Sequence, residues 1–127
     1  MRPLLPRMAV LGVAALSPSL LAVGPAHAFG ETSVTYYAVS DMPHNGSWTW
    51  YDANSRPTTL KFATFFSQRA DGKWFAQQTV LTRSTDPRIG MTFASRGQYA
   101  GCRVYLNGNR IRVNVARTKK KDATVTC

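Results

Sequence analysis

Enzyme chemistry needs a nucleophile beside a base, a pair of carboxylates, or a cluster of metal ligands. This chain is poor in all three, with two His, six Asp+Glu and two Cys in 127 residues. His27 falls in the N-terminal segment. That leaves His44, in the turn-like Met42-Pro43-His44-Asn45-Gly46. Two cysteines, Cys102 and Cys127, cannot build a four-cysteine zinc site. Glu31, Asp41, Asp52, Asp71, Asp86 and Asp122 are scattered, and no Gly-rich loop could cradle a phosphate. A small basic hydrolase would have to bring Glu31, His44 and an arginine together, and this is the enzymatic alternative. The main expectation is a protein with no catalytic residues, no cofactor and no metal. Asn45-Gly46-Ser47 matches the N-glycosylation pattern, a weak signal by itself.

The chemistry the residue types do favour is the binding of anions. There are 16 Lys+Arg against six Asp+Glu, a formal net charge of +10. Such an excess points to anionic lipid, acidic polymer or nucleic acid, and no motif for specific nucleic-acid recognition accompanies it. The cations gather late in the chain. Arg103, Tyr105, Arg110 and Arg112 flank Asn107-Gly108, and Lys119, Lys120 and Lys121 follow. These seven residues form the expected basic binding face.

A hairpin would position them. Asn107-Gly108 suits a two-residue type I′ turn. Leu106 then lies opposite Asn109, Tyr105 opposite Arg110, Val104 opposite Ile111, Arg103 opposite Arg112 and Cys102 opposite Val113. That register buries Cys102, Val104, Leu106, Ile111, Val113 and Val115 on one face and puts Arg103, Tyr105, Arg110 and Arg112 on the other. Stacking of Tyr105 on Arg110 would hold the guanidinium outward. A simple turn after Arg117 would set Cys127 beside Arg112, about 9.6 Å from Cys102 across two strand spacings. A disulfide needs Cα atoms roughly 4.4–6.8 Å apart. If the cysteines pair, the last strand must therefore leave that meander and cross to the opposite sheet.

The rest of the chain after residue 30 also reads as strands. Ser33–Val39, Ser47–Asp52, Thr58–Phe66, Trp74–Leu81, Ile89–Ser95, Gly101–Leu106, Asn109–Arg117 and Asp122–Cys127 are rich in β-branched and aromatic residues. Turn residues separate them, as in Asp71-Gly72 and Asp86-Pro87. In Thr58–Phe66 the alternation places Leu60, Phe62, Thr64 and Phe66 on one face. Adjacent aromatics such as Phe65-Phe66 must point to opposite faces, so one of such a pair is expected outside. Seven to eight short strands predict an all-β sandwich over 29–127.

Residues 1–28 read as an address. Arg2 and Arg7 precede the apolar Met8–Leu16, and Ala26 and Ala28 stand at −3 and −1 of a cut before Phe29. A cleaved signal peptide and a secreted or envelope-associated protein follow. The alternative is an uncleaved membrane anchor with the domain outside, because Met8–Gly30 carries no charge and is long enough to span. Cleavage would leave roughly 100 residues, a size at which the core is marginal.

The sequence resembles the MmpS-like family, small membrane proteins of mycobacteria and related actinobacteria. The resemblance runs over about Val34–Cys127. It rests on Trp48-Thr49-Trp50-Tyr51-Asp52-Ala53, on Trp74 before the middle strand, on Cys102-Arg103-Val104-Tyr105-Leu106-Asn107-Gly108, and on Thr124-Val125-Thr126 before Cys127. It implies an immunoglobulin-like or transthyretin-like β-sandwich closed by one disulfide, Cys102–Cys127. It also implies an accessory role beside a large inner-membrane exporter of lipids or siderophores. A free secreted protein that binds an anionic envelope polymer or lipid through the basic hairpin is the alternative.

Overall fold

A computed structural model describes residues 30–127. The expected signal segment and its cut at Ala26, Ala28 and Phe29 lie outside the described residues. The domain consists of β1 (Thr32–Ser40), β2 (Trp48–Tyr51), β3 (Pro57–Leu60), β4 (Ser67–Gln68), β5 (Trp74–Thr82), β6 (Met91–Ala94), β7 (Tyr99–Leu106), β8 (Asn109–Arg117) and β9 (Thr124–Thr126). Five strands form one sheet in the order β4-β5-β1-β7-β8. The other four form a second sheet in the order β3-β2-β6-β9. All pairings are antiparallel. The fold is the expected all-β sandwich, with nine strands instead of seven or eight.

Alternation along each strand builds the core. Val34, Tyr36 and Ala38 of β1 and Ala100, Cys102 and Val104 of β7 face inward from the first sheet. Trp48 and Trp50 of β2, Met91 and Phe93 of β6 and Val125 of β9 face them from the second. Trp48 meets Trp50 at 4.9 Å, and Phe65 stacks on Phe93 at 5.3 Å between ring centres. Burial pushes the Tyr36 hydroxyl above its ordinary pKa, and that hydroxyl accepts a hydrogen bond from the Gly90 N–H.

Two expectations are corrected. Thr58–Phe66 is not one strand, because the chain leaves β3 at Leu60 and crosses toward β4. In the crossing Ala63 and Phe65 are buried, whereas Phe62 and Phe66 stand 72% and 87% exposed. Phe62, Thr64 and Phe66 do share a face, the outer one, and of the adjacent pair Phe65-Phe66 one ring lies outside, as expected. Second, the hairpin register holds only at its tip. Leu106↔Asn109 and Tyr105↔Arg110 pair as expected, but a bulge follows. Beyond it Val104 faces Arg112, Arg103 faces Val113 and Cys102 faces Asn114. One extra residue in β8 reverses the parity of all that follows. Ile111, Val113 and Val115 are therefore exposed and not core. Arg103 has no arginine opposite it.

The last strand does cross. β9 pairs with β6 in the second sheet, and the Cys102–Cys127 bridge spans the sheets with Cα atoms 6.1 Å apart. Arg112 and Asn114, turned by the bulge toward β9, stitch the same side. Arg112 donates to the main-chain oxygens of Ile89 at 2.7 Å and Cys127 at 3.3 Å, and Asn114 Nδ2 donates to Thr126 O at 3.0 Å.

Candidate binding face

The outward side of the five-stranded sheet is set by β1 between β5 and β7. Tyr37 pairs with Gln77 on one side and Arg103 on the other, Val39 with Phe75 and Gly101, and Thr35 with Thr79 and Tyr105. β8 adds Val115 beside Gly101, Val113 beside Arg103 and Arg110 beside Tyr105. On β7, Tyr99, Gly101, Arg103 and Tyr105 share this face, and the first and last are six residues apart. At about 3.4 Å per residue they span roughly 20 Å.

Cations lie over rings along this span. Lys73 Nζ is 4.7 Å and the Arg117 guanidinium 5.2 Å from the centre of Tyr99. Arg103 lies 5.6 Å from the centre of Tyr37, which itself stacks on Phe75 at 5.2 Å. Each such contact holds a long side chain upright at a gain of about 0.5–1 kcal/mol. Gly101 makes room for Tyr99: a Cβ there would come within 3.2 Å of the ring. Between Tyr99, Arg103, Val113 and Val115 lies a shallow depression of about 40 Å³.

Few acids answer these cations. Among the described residues the one ion pair is Arg69–Asp71, at 2.7 Å. Among the same residues no carboxylate lies within 4.0 Å of Lys73, Arg103, Arg110 or Arg117. Three of the aspartates commit their carboxylates to main-chain N–H groups. Asp41 accepts from the Gln98 and Tyr99 N–H groups. Asp52 accepts from the N–H groups of Arg56 and Asn54, which hold its carboxyl below the usual range. The Lys73 N–H does the same for Asp71.

The structure brings together three of the seven expected residues, Arg103, Tyr105 and Arg110, on one face. Arg112 leaves that face, because the bulge turns it to the β9 side. Lys119, Lys120 and Lys121 are exposed in the loop between β8 and β9. Tyr37, Lys73, Phe75, Tyr99 and Arg117 belong to the face, and the hairpin register could not show them. For Tyr37 and Phe75 the missing information was that β1 sits between β5 and β7. For Arg117 it was the bulge in β8. Tyr99 shares the parity of Arg103 and Tyr105 on β7. Tyr105 and Arg110 pair as expected, although the ring contact of Arg103 is with Tyr37.

Other candidates resolve differently. His44 is exposed, and its ring Nδ1 lies 3.5 Å from Thr64 Oγ1. No aspartate of Thr32–Cys127 lies within 4.0 Å of it. Asn45 is buried. Its Oδ1 accepts from Ser40 Oγ at 2.7 Å and its Nδ2 donates to Met42 O at 2.8 Å. That amide is committed to holding a loop and is not presented for glycosylation. Among the described residues there is no metal-ligand cluster, and no helix is long and apolar enough to cross a membrane. No protein-family model matches the chain, and no curated protein matches it.

Proposed function

We propose that this chain is an exported, non-enzymatic binding module that takes an anionic polymer along the outer face of its five-stranded sheet. The observation that carries the reading is a run of cations beside aromatic rings, with no carboxylate partner among the described residues. Arg117 and Lys73 lie at Tyr99, Arg103 at Tyr37, and Arg110 opposite Tyr105. Guanidinium groups suit bidentate contact with carboxylate or phosphate. Rings between them offer flat apolar surface to the uncharged parts of a repeat. A sheet spanning roughly 20 Å along β7 accommodates several repeats of an extended chain. Lys119–Lys121 adds a diffuse, salt-sensitive attraction.

A second reading, the accessory role beside a large inner-membrane exporter, draws on the MmpS-like motif. Its support is that Cys102 of the Cys-x-Val-x-x-Asn-Gly stretch is bridged to Cys127, as the resemblance implies. The binding face would then meet an anionic cargo or the exporter itself.

The test is retention on immobilised polyphosphate and polyglutamate at rising salt. The Arg103→Ser, Arg110→Ser, Arg117→Ser chain should elute at much lower salt. Losing the ring contacts at Tyr37 and Tyr99 costs about 1–2 kcal/mol, a fall of roughly 5–15 °C in melting temperature, so elution is compared on folded protein. Unchanged elution would overturn the reading.

A further inference from the structure

At the side of the sandwich where β3 hands over to β4, the chain makes a small two-stranded ribbon outside the named strands. His44 and Thr64 form an antiparallel bridge. Asn45 N donates to Ala63 O at 2.9 Å, Phe65 N to Pro43 O at 2.7 Å and Ala63 N to Gly46 O at 3.0 Å. Ala63 and Phe65 point into the core at 0% and 2% exposure. Alternation then sends Phe62, Thr64 and Phe66 outward, and the register about His44 and Thr64 brings Met42 level with Phe66. Met42 is 44% exposed and Leu60, at the end of β3, 45%.

The ribbon is firmly held. Below it Ser40 Oγ meets Asn45 Oδ1 at 2.7 Å and Ser95 Oγ at 2.8 Å, and Arg96 N and Gly97 N donate into the same group. Two phenylalanines standing out of a pinned ribbon bury little within the domain. Contiguous exposed apolar groups of this kind mark contacts with another phase or partner.

We propose that Met42, Phe62 and Phe66 form a tip that inserts into the interfacial region of a bilayer bearing anionic headgroups. The proposal is independent of the polymer-binding face. Charge complementarity supports it. Lys61 is exposed next to Phe62, and Arg96 is exposed beside Gly46, where a Cβ would lie 3.7 Å from its Nε. Neither has a carboxylate within 4.0 Å among the described residues. Asp41, the acid next to Met42, is turned to the Gln98 and Tyr99 N–H groups. Aromatic rings rimmed by Lys and Arg are the composition that settles about 5–10 Å into a headgroup layer. Area argues against a second copy of the chain as the occupant. A few side chains supply on the order of several hundred Å², whereas a stable interface buries about 1,200–2,000 Å².

The experiment uses the full chain with Phe66→Trp as reporter, in phosphatidylcholine vesicles with and without phosphatidylglycerol. Emission above that of the parent chain should shift to the blue and be quenched by brominated lipid in the anionic vesicles. Phe62→Ser in this reporter should weaken the vesicle affinity of the shifted species about tenfold, the value of one buried phenylalanine. Arg103→Ser, Arg110→Ser, Arg117→Ser in the reporter should leave the shift in place. Unshifted emission from the introduced indole in chains bound to vesicles overturns the tip. So does loss of the shift in the triple arginine variant, which would assign the lipid to the sheet face. A blue shift that grows with protein concentration without lipid overturns it in favour of self-association.

Discussion

The sandwich is closed differently on its two sides. On the β8–β9 side the closure is covalent and polar, through Cys102–Cys127, the Arg112 guanidinium on two main-chain oxygens, and the Asn114 amide on Thr126 O. On the β3–β4 side it is apolar. Ala63 and Phe65 plug the gap, with Phe65 against Trp48 at 6.1 Å and Phe93 at 5.3 Å. The polar side ties its cation to the main chain through one guanidinium nitrogen. The apolar side turns one half of its hydrophobic alternation inward and presents the other half to the surroundings. Exposure of a reactive-looking residue is therefore a poor guide to its role here, and Arg112 is the example.

Truncation of the plug should have the largest effect. Phe65→Ala removes a fully buried ring between two others and should cost about 3–5 kcal/mol, read from urea unfolding. A loss under about 1 kcal/mol would mean that the β3–β4 side is not closed by packing. Next comes the bridge. Replacing Cys102 and Cys127 together with Ser should cost about 3.5 kcal/mol in the chain-entropy model, given the separation of 25 residues. For a domain of this size that lowers the melting temperature by roughly 15–25 °C. The smallest effect is expected from Arg112→Ser, about 1 kcal/mol for hydrogen bonds lost at an exposed position. Its sharper signature is the contrast with Arg103→Ser. Both should lower the melting temperature by a few degrees, but the first should spare polyanion retention and the second should weaken it. If both behave alike, Arg112 belongs to the binding face after all.

Much of the fold was legible because one face of each strand is buried. β8 begins and ends where its composition suggests, and the crossing of β9 followed from the reach of a disulfide once pairing was assumed. What escaped was parity. Arg110-Ile111-Arg112-Val113-Asn114 alternates without interruption, and nothing in it signals an extra residue. The bulge turns Arg112 to the main-chain oxygens of Ile89 and Cys127 and Asn114 to that of Thr126, partners that lie far from the hairpin tip in sequence. Thr58–Phe66 stayed undecided for a related reason. With Phe62, Phe65 and Phe66 all apolar, both faces could have been the inner one. The choice fell to Pro43, Asn45 and Gly46, which supply the backbone partners of Ala63 and Phe65. The binding face was half visible for the same cause, since Tyr37 joins Arg103 only through the β1–β7 pairing.

The bridge has one more consequence, for proteolysis. The loop closed by Cys102 and Cys127 contains Arg110, Arg112, Arg117 and the exposed Lys119–Lys121. An enzyme that cuts after basic residues meets exposed sites there. A chain nicked after Lys120 does not come apart, because both fragments remain tied through the sulfurs and β9 stays laid against β6. Nicked and intact molecules would run alike on a non-reducing gel and separate only once thiol is added. In a compartment that holds the bridge oxidised, the basic segment can be clipped while the sandwich keeps its two sheets together.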